Sequence, residues 1–171
     1  MQELAHNDCM SSLALQFTIL NAVRTGETIY SKRSEISDDV WSIPAERMKG
    51  RRPHQVPLCS RSLELIAKAT SLDPESEFVF SNNKKCLSSM AMLMLLRGYR
   101  TNVTVHGFRS SMRDYISEET THSREVAEMT LAHTISNRVE AAYRRGNLME
   151  RRRALLEDWQ AFCIGVATQK S

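Results

Sequence analysis

The sequence contains no CxxC pair. Its four cysteines, Cys9, Cys59, Cys86 and Cys163, are scattered, and no short cysteine–histidine spacing marks a zinc knuckle. Such thiols read as reduced and intracellular. Long apolar runs are lacking too. The longest, Leu13 to Val23, is broken by Gln16, Thr18 and Asn21, and the first residues carry no basic region. The expectation is a cytoplasmic domain without a signal peptide, a membrane span or a membrane partner. No repeat, low-complexity run or Pro/Gly/Ser-rich linker divides the chain. Disorder and collagen-like repeats are excluded by 42% apolar and 25% charged residues. A chain of 171 residues is one domain with a real core.

Acidic residues are missing from particular places. None lies between Glu46 and Glu64, a gap holding Arg47, Lys49, Arg51, Arg52 and Arg61. None lies between Glu77 and Asp114, where Lys84, Lys85, Arg97, Arg100, Arg109 and Arg113 sit. Arg144, Arg145 and Arg151 to Arg153 face Glu150 alone, whereas residues 114–128 are acidic. Arginine supplies 17 of the 23 basic residues, and its planar fork suits bidentate contact with phosphate. Basic stretches that fold onto one face are the footprint of a polyanion binder; solvated surface is the other reading of the same charges.

Periodicity predicts a mixed α/β domain, mainly helical. Residues 10–23 form a helix with Leu13, Phe17, Leu20 and Val23 on one stripe, with Gly26 placed to end it or turn the chain. Between about 33 and 58 the period shortens. Ile36, the Asp38-Asp39 turn, Trp41, Ile43, Val56 and Leu58 predict a small three-stranded antiparallel sheet, with Lys49-Gly50-Arg51-Arg52-Pro53 as a basic hairpin tip. Helices follow, with Ser60, Ser88, Ser123 and Ser136 at their starts. The last helix, 148–166, carries Leu148, Leu155, Trp159, Phe162 and Val166. Met90, Met92 and Met94 read as core filler, as do Phe108 and Leu131, and His6, His54 and His122 as surface or turn residues.

The chemistry starts at His106-Gly107-Phe108-Arg109, with Thr104 placed to cap a helix. At i and i+3 the imidazole and guanidinium share a face and can grip one phosphate. Alone, this spacing is weak. Arg24-Thr25-Gly26-Glu27 adds an arginine with a carboxylate three residues on to orient it. Lys49 beside Gly50 adds a cation free to swing, and Leu131-Ala132-His133 precedes Tyr143 by ten residues.

The order Arg24, Lys49, His106, Arg109, His133, Tyr143 resembles the catalytic set of the tyrosine recombinase (phage integrase) family. The local text VRTGE, WSIPAERMKGRRPHQVPL, VTVHGFRS, LAH and VEAAYRRG is similar to integrases of prophages and pathogenicity islands. The likeness spans about residues 10–163. It implies the catalytic-domain fold of that family over 1–171, with 147–171 a carboxy-terminal helical segment packing in cis or in trans. Full-length relatives carry core-binding and arm-binding domains before it, so the chain is expected to be a catalytic domain without them.

Each residue type suits metal-free phosphodiester cleavage. Tyr143 supplies a nucleophile whose phosphotyrosyl ester conserves bond energy. Arg24 and Arg109 clamp non-bridging oxygens, and His106 and His133 share proton handling. The resemblance makes Lys49 the general acid and implies no metal, nucleotide or redox cofactor. It further implies 3′-phosphotyrosyl cleavage of double-stranded DNA at attachment sites, through a Holliday junction in a tetrameric synapse of recombinase protomers, in the bacterial cytoplasm at the nucleoid. Arg51, Arg52, Arg113 and Arg144 are candidate DNA contacts, and Glu27 a candidate orienter of Arg24. Two other readings stay open: a catalytically silent DNA-binding remnant of an integrase, and DNA relaxation of the type IB topoisomerase kind.

Overall fold

A computed structural model of the chain describes residues 1–133 and 148–165. At its centre runs α2 (Met10–Leu20), preceded by the single turn α1 (Gln2–Ala5). Leu13, Ala14, Leu15, Phe17, Ile19 and Leu20 are all buried, so α2 is enclosed on every side rather than along one stripe. Its polar groups are satisfied from within: Gln16 Nε2 and Ser12 Oγ donate to the Leu4 carbonyl at 3.0 and 3.1 Å.

The helix ends before the expected stop. Asn21 Nδ2 donates to the Phe17 carbonyl at 2.8 Å, and Ala22 takes the left-handed region at φ 49°. Gly26, expected to end α2 or turn the chain, lies instead inside α3 (Thr25–Ile29). The turn falls earlier because an asparagine caps the last carbonyls there.

The expected sheet is present, in order β1 (Ile36–Ser37), β2 (Val40–Ile43), β3 (His54–Pro57), all antiparallel. Trp41 pairs with Ile36 on one side and Val56 on the other. Its ring is fully buried, 5.5 Å from Phe17, so the sheet is fixed on the central helix. After α4 (Ser60–Leu72) comes a second hairpin, β4 (Ser81–Asn82) and β5 (Lys85–Cys86), which the sequence reading lacks. Asn83 and Lys84 at its tip both have positive φ, and Asp73 Oδ2 accepts from Ser81 Oγ at 2.8 Å and from the Lys84 N–H at 2.9 Å.

In α5 (Ala91–Tyr99) Met92 is buried, but Met90 and Met94 are exposed. The methionine run is therefore core at one position in three, because 90 and 94 share the outer helix face while 92 lies on the opposite, inward one. Ser88 makes no cap there, whereas Thr104 Oγ1 accepts the Gly107 N–H at 3.1 Å at the head of α6 (Gly107–Glu119). Ser123 accepts from Val126 at the head of α7 (Arg124–Thr130). Ser136 lies outside the described residues.

The last helix, α8 (Met149–Ile164), packs on its own chain. Leu155, Leu156 and Trp159 are buried, Trp159 Nε1 donates to the Ile19 carbonyl at 2.9 Å, and Gln160 Nε2 to Ser62 Oγ at 3.1 Å. The expected stripe is only partly internal. Phe162 is 55% exposed, held by stacking on Tyr115 at 4.6 Å, and Val166 lies outside the described residues. Gly165, with φ 82°, ends the helix by donating to the Ala161 carbonyl.

Candidate active site

Arg24 stands in extended backbone as the residue before α3, and Glu27 is three residues on. The Glu27 carboxylate accepts the Arg24 N–H at 2.8 Å and Arg24 Nη1 at 2.7 Å. One buried carboxylate thus caps the helix and fixes the guanidinium together: Glu27 is 3% exposed and Arg24 25%. Behind it, Arg47 Nη1 donates to the Glu27 carbonyl and its Nη2 pairs with Glu35. Trp41 Nε1 joins the same carboxylate at 3.0 Å, tying the sheet to the site. Burial lowers the Arg47 pKa, opposed by Glu35. Arg47, counted from sequence among the basic surface, is half-buried and engaged on two sides.

Arg109 comes from the first turn of α6 and is 5% exposed. Its Nη1 donates to the Ala22 carbonyl and its Nη2 to the Leu131 carbonyl at 2.5 Å. Ala22 and Ala132 both sit at φ 49°, a costly conformation for alanine. Arg109 therefore braces the two strained turns that lead into Arg24 and into His133. Two of its five N–H donors are so committed, leaving the others for a ligand. Burial first, and then the nearby Arg24 charge, lower its pKa to about 10. Two guanidiniums held close enough to repel each other, one of them buried, make a seat for an anion.

His133 follows directly on the second braced turn. Its Nδ1 donates to Glu128 Oε2 at 2.8 Å, so Nε2 is the nitrogen left for a ligand. Glu128 also takes Arg113 Nη2 at 3.5 Å. Sequence reasoning missed Glu128, whose signal was a carboxylate five residues before His133.

The other expected residues stand apart. His106 is exposed at the head of α6, and its carbonyl accepts the Arg109 N–H. Lys49, Arg51 and Arg52 are exposed on the turn before β3. Among the described residues no hydrogen bond or ion pair joins Lys49 or His106 to the Arg24–Arg109 cluster. Tyr143 and Arg144 lie outside the described residues.

The structure corrects the reading of His54. This residue opens β3, is half-buried, and lies within electrostatic reach of both Arg109 and Arg24. Its Nε2 stands 3.3 Å from Arg152 Nη2. Arg152, expected among surface charges, is 2% exposed and donates also to the Gln55 carbonyl. His122 is likewise engaged, its Nε2 2.7 Å from Asp158 Oδ2, while His6 is exposed. The missed signal for His54 was its place at the start of an expected strand beside the hairpin tip.

Among the described residues no group of three or more His, Cys, Asp or Glu is placed to hold a metal ion. No helix there is long and apolar enough to cross a membrane.

Comparison with known proteins places this arrangement in context. A family model described as the phage integrase family matches residues 1–149. The chain is 33% identical over 152 residues to prophage integrase IntZ of Escherichia coli K12, covering 85% of this chain and 38% of that protein. It is 28% identical over 158 residues to the integrase of Shigella phage Sf6, covering 88% and 41%. The chain thus spans less than half the length of these relatives. In fold it is similar to the lambda integrase catalytic core, with TM-score 0.60, 22% identity, and coverage of 80% of this chain and 87% of that one. A lambda integrase tetramer bound to a Holliday junction matches with TM-score 0.59 and 19% identity, over 80% of this chain and 44% of that one.

Proposed function

This chain belongs to the phage integrase family, and from that premise we propose that it is the catalytic domain of a site-specific DNA recombinase. Its carboxy-terminal segment, 147–171, contains α8. It cleaves and rejoins double-stranded DNA at attachment sites through a 3′-phosphotyrosyl intermediate, with no metal or other cofactor. The observation that carries this reading is the seat made by Arg24 and Arg109, one oriented by Glu27 and the other bracing both neighbouring turns.

The scissile phosphate sits between these guanidiniums, which stabilise charge on its non-bridging oxygens as the pentacovalent state forms. Tyr143 attacks phosphorus, and the bond to the 5′ oxygen breaks. Lys49, swung in from the exposed turn, delivers a proton to that leaving oxygen. His133, held through Nδ1 by Glu128, and His106, at the head of α6, hydrogen-bond the phosphate and handle the nucleophile's proton. Reversal by a 5′ hydroxyl from the partner duplex rejoins the strand, so no external energy source is needed. Arg51, Arg52, Arg113 and Arg144 contact flanking phosphates.

A lambda integrase has been seen as a tetramer on a Holliday junction. By that likeness, four protomers assemble here on paired attachment sites, in the bacterial cytoplasm at the nucleoid. The test is a nicked suicide duplex bearing a candidate attachment site. Wild type should form a protein–DNA adduct stable to denaturant, and Tyr143→Phe should form none while binding the duplex with nearly unchanged affinity. An adduct that survives Tyr143→Phe, or relaxation of plasmids lacking an attachment site, contradicts the reading.

A further inference from the structure

The imidazole of His54 touches two elements that are distant in sequence. On one side is Arg152 in the first turn of α8, with Nη2 3.3 Å from His54 Nε2. A guanidinium only donates, so Nε2 accepts and the ring proton resides on Nδ1. The Thr130 backbone at the end of α7 also lies within hydrogen-bonding reach of the ring, which places the protonated Nδ1 as its partner. The ring is consequently neutral, and burial together with the Arg152 charge lowers its pKa to about 3, with Arg109 and Arg24 pushing the same way.

Arg152 is bound by the same strand twice, through His54 and through the Gln55 carbonyl. It is 2% exposed, its Nε–H has no partner among the described residues, and burial lowers its pKa to about 10. Among the described residues no carboxylate pairs with it. Burying a guanidinium against a neutral ring and a carbonyl is a poor choice for stability alone, since an apolar side chain fills such a position at lower cost. What the pair does achieve is registration. Thr130 precedes Leu131, whose carbonyl Arg109 holds, and Leu131 precedes His133 by two residues. Arg152 belongs to the helix that follows the stretch bearing Tyr143.

We propose that His54 and Arg152 are positioning residues for strand cleavage, a neutral imidazole–guanidinium pair that locks the end of α7 and the start of α8 onto β3 beside the Arg24–Arg109 seat. The inference rests on the proposed cleavage chemistry and adds to it two residues that touch neither DNA nor the reacting atoms. Both chain ends flanking residues 134–147 leave from this one lock. A shift of either end moves His133 or the stretch bearing Tyr143 relative to the phosphate, and near-attack geometry is sensitive to shifts of about 1 Å.

The test measures single-turnover adduct formation on the nicked suicide duplex, alongside DNA affinity and urea midpoint, for wild type and four variants of the full chain. His54→Ala and Arg152→Met should slow adduct formation about tenfold or more while affinity changes less than about twofold, because neither residue meets the backbone of the DNA. His54→Gln, whose amide oxygen accepts from Arg152 and whose amide nitrogen donates to Thr130, should recover most of the rate. A merely structural role would lower the urea midpoint without this split, and Gln would rescue nothing specific to the rate. Wild-type rates in both His54→Ala and Arg152→Met, with Tyr143→Phe inactive, overturn this inference and leave the proposed function standing. An adduct in Tyr143→Phe overturns the proposed function instead. Imidazole nitrogen NMR gives an independent check. His54 should keep its proton on Nδ1 down to about pH 4, and titration near 6.5 would contradict the lock.

Discussion

Arg109 and Arg51 both belong to acid-free stretches of this sequence, yet the fold treats them oppositely. Arg109 is 5% exposed and donates to two backbone carbonyls across the core. Arg51 is exposed at φ 50° on the turn before β3, and among the described residues no ion pair holds it or its neighbours Lys49 and Arg52. The buried cluster is organised before any ligand arrives, so an anion entering it meets donors already in place. The exposed turn is closed by the Arg51 N–H donating to the Met48 carbonyl at 3.0 Å, but among the described residues no ion pair fixes its cationic side chains, and under the proposed function it is DNA that orders them. Preorganisation and reach are thus divided between two regions, with charge of one sign serving both.

Breaking the buried side should give the largest effect. Arg109→Ala removes a phosphate donor and the brace on both strained turns at once. Cleavage should fall about a thousandfold, and the urea midpoint should drop by the equivalent of about 2–4 kcal/mol, since two carbonyls lose their donor. Lys49→Ala sharpens the contrast from the other side. Cleavage should fall about a hundredfold, but stability should stay within about 0.5 kcal/mol, and a 5′-phosphorothiolate substrate, whose leaving group needs no proton, should restore the rate.

Glu27→Ala comes next. Without its carboxylate Arg24 loses its orientation and α3 its cap, so cleavage should fall about tenfold to a hundredfold with a stability loss of about 2 kcal/mol. A smaller effect separates His54 from the carboxylates. The unfolded ring takes a proton near pH 6.5 while the native one stays neutral to about 3. The contribution is therefore complete above about pH 6.5 and is lost as pH falls towards 3, with a slope of at most about 1.4 kcal/mol per pH unit. In urea titrations from pH 7 to 4, His54→Gln should lose less stability than wild type. The smallest changes are expected at the exposed turn. Arg51→Ala and Arg52→Ala should each reduce the slope of log affinity against log salt by about one, with an unchanged urea midpoint.

How much of this was legible depended on which physical signal each residue carried. The sheet around Trp41 was readable because alternation and a Gly-Arg-Arg-Pro break both announce strands and a turn. Arg24 with Glu27 was readable because helix capping acts over three residues. The Arg109 brace was not, for Ala22 and Leu131 lie 87 and 22 residues away in sequence. His54 was misread for the same reason, since both its partners come from distant elements. The charge map misled at Arg47 and Arg152, where a basic stretch in one dimension became a strut in three. The Asn83-Lys84 hairpin was passed over because strands of two residues carry no period.

The most direct test of the central claim is to identify the atom that carries the DNA. Wild-type adduct formed on the suicide duplex is digested with trypsin and nuclease, and the modified peptide is sequenced by mass spectrometry. The account requires a nucleotide linked through its 3′ phosphate to Tyr143. Attachment to any other residue, or cleavage that leaves both DNA ends free of protein, would contradict it.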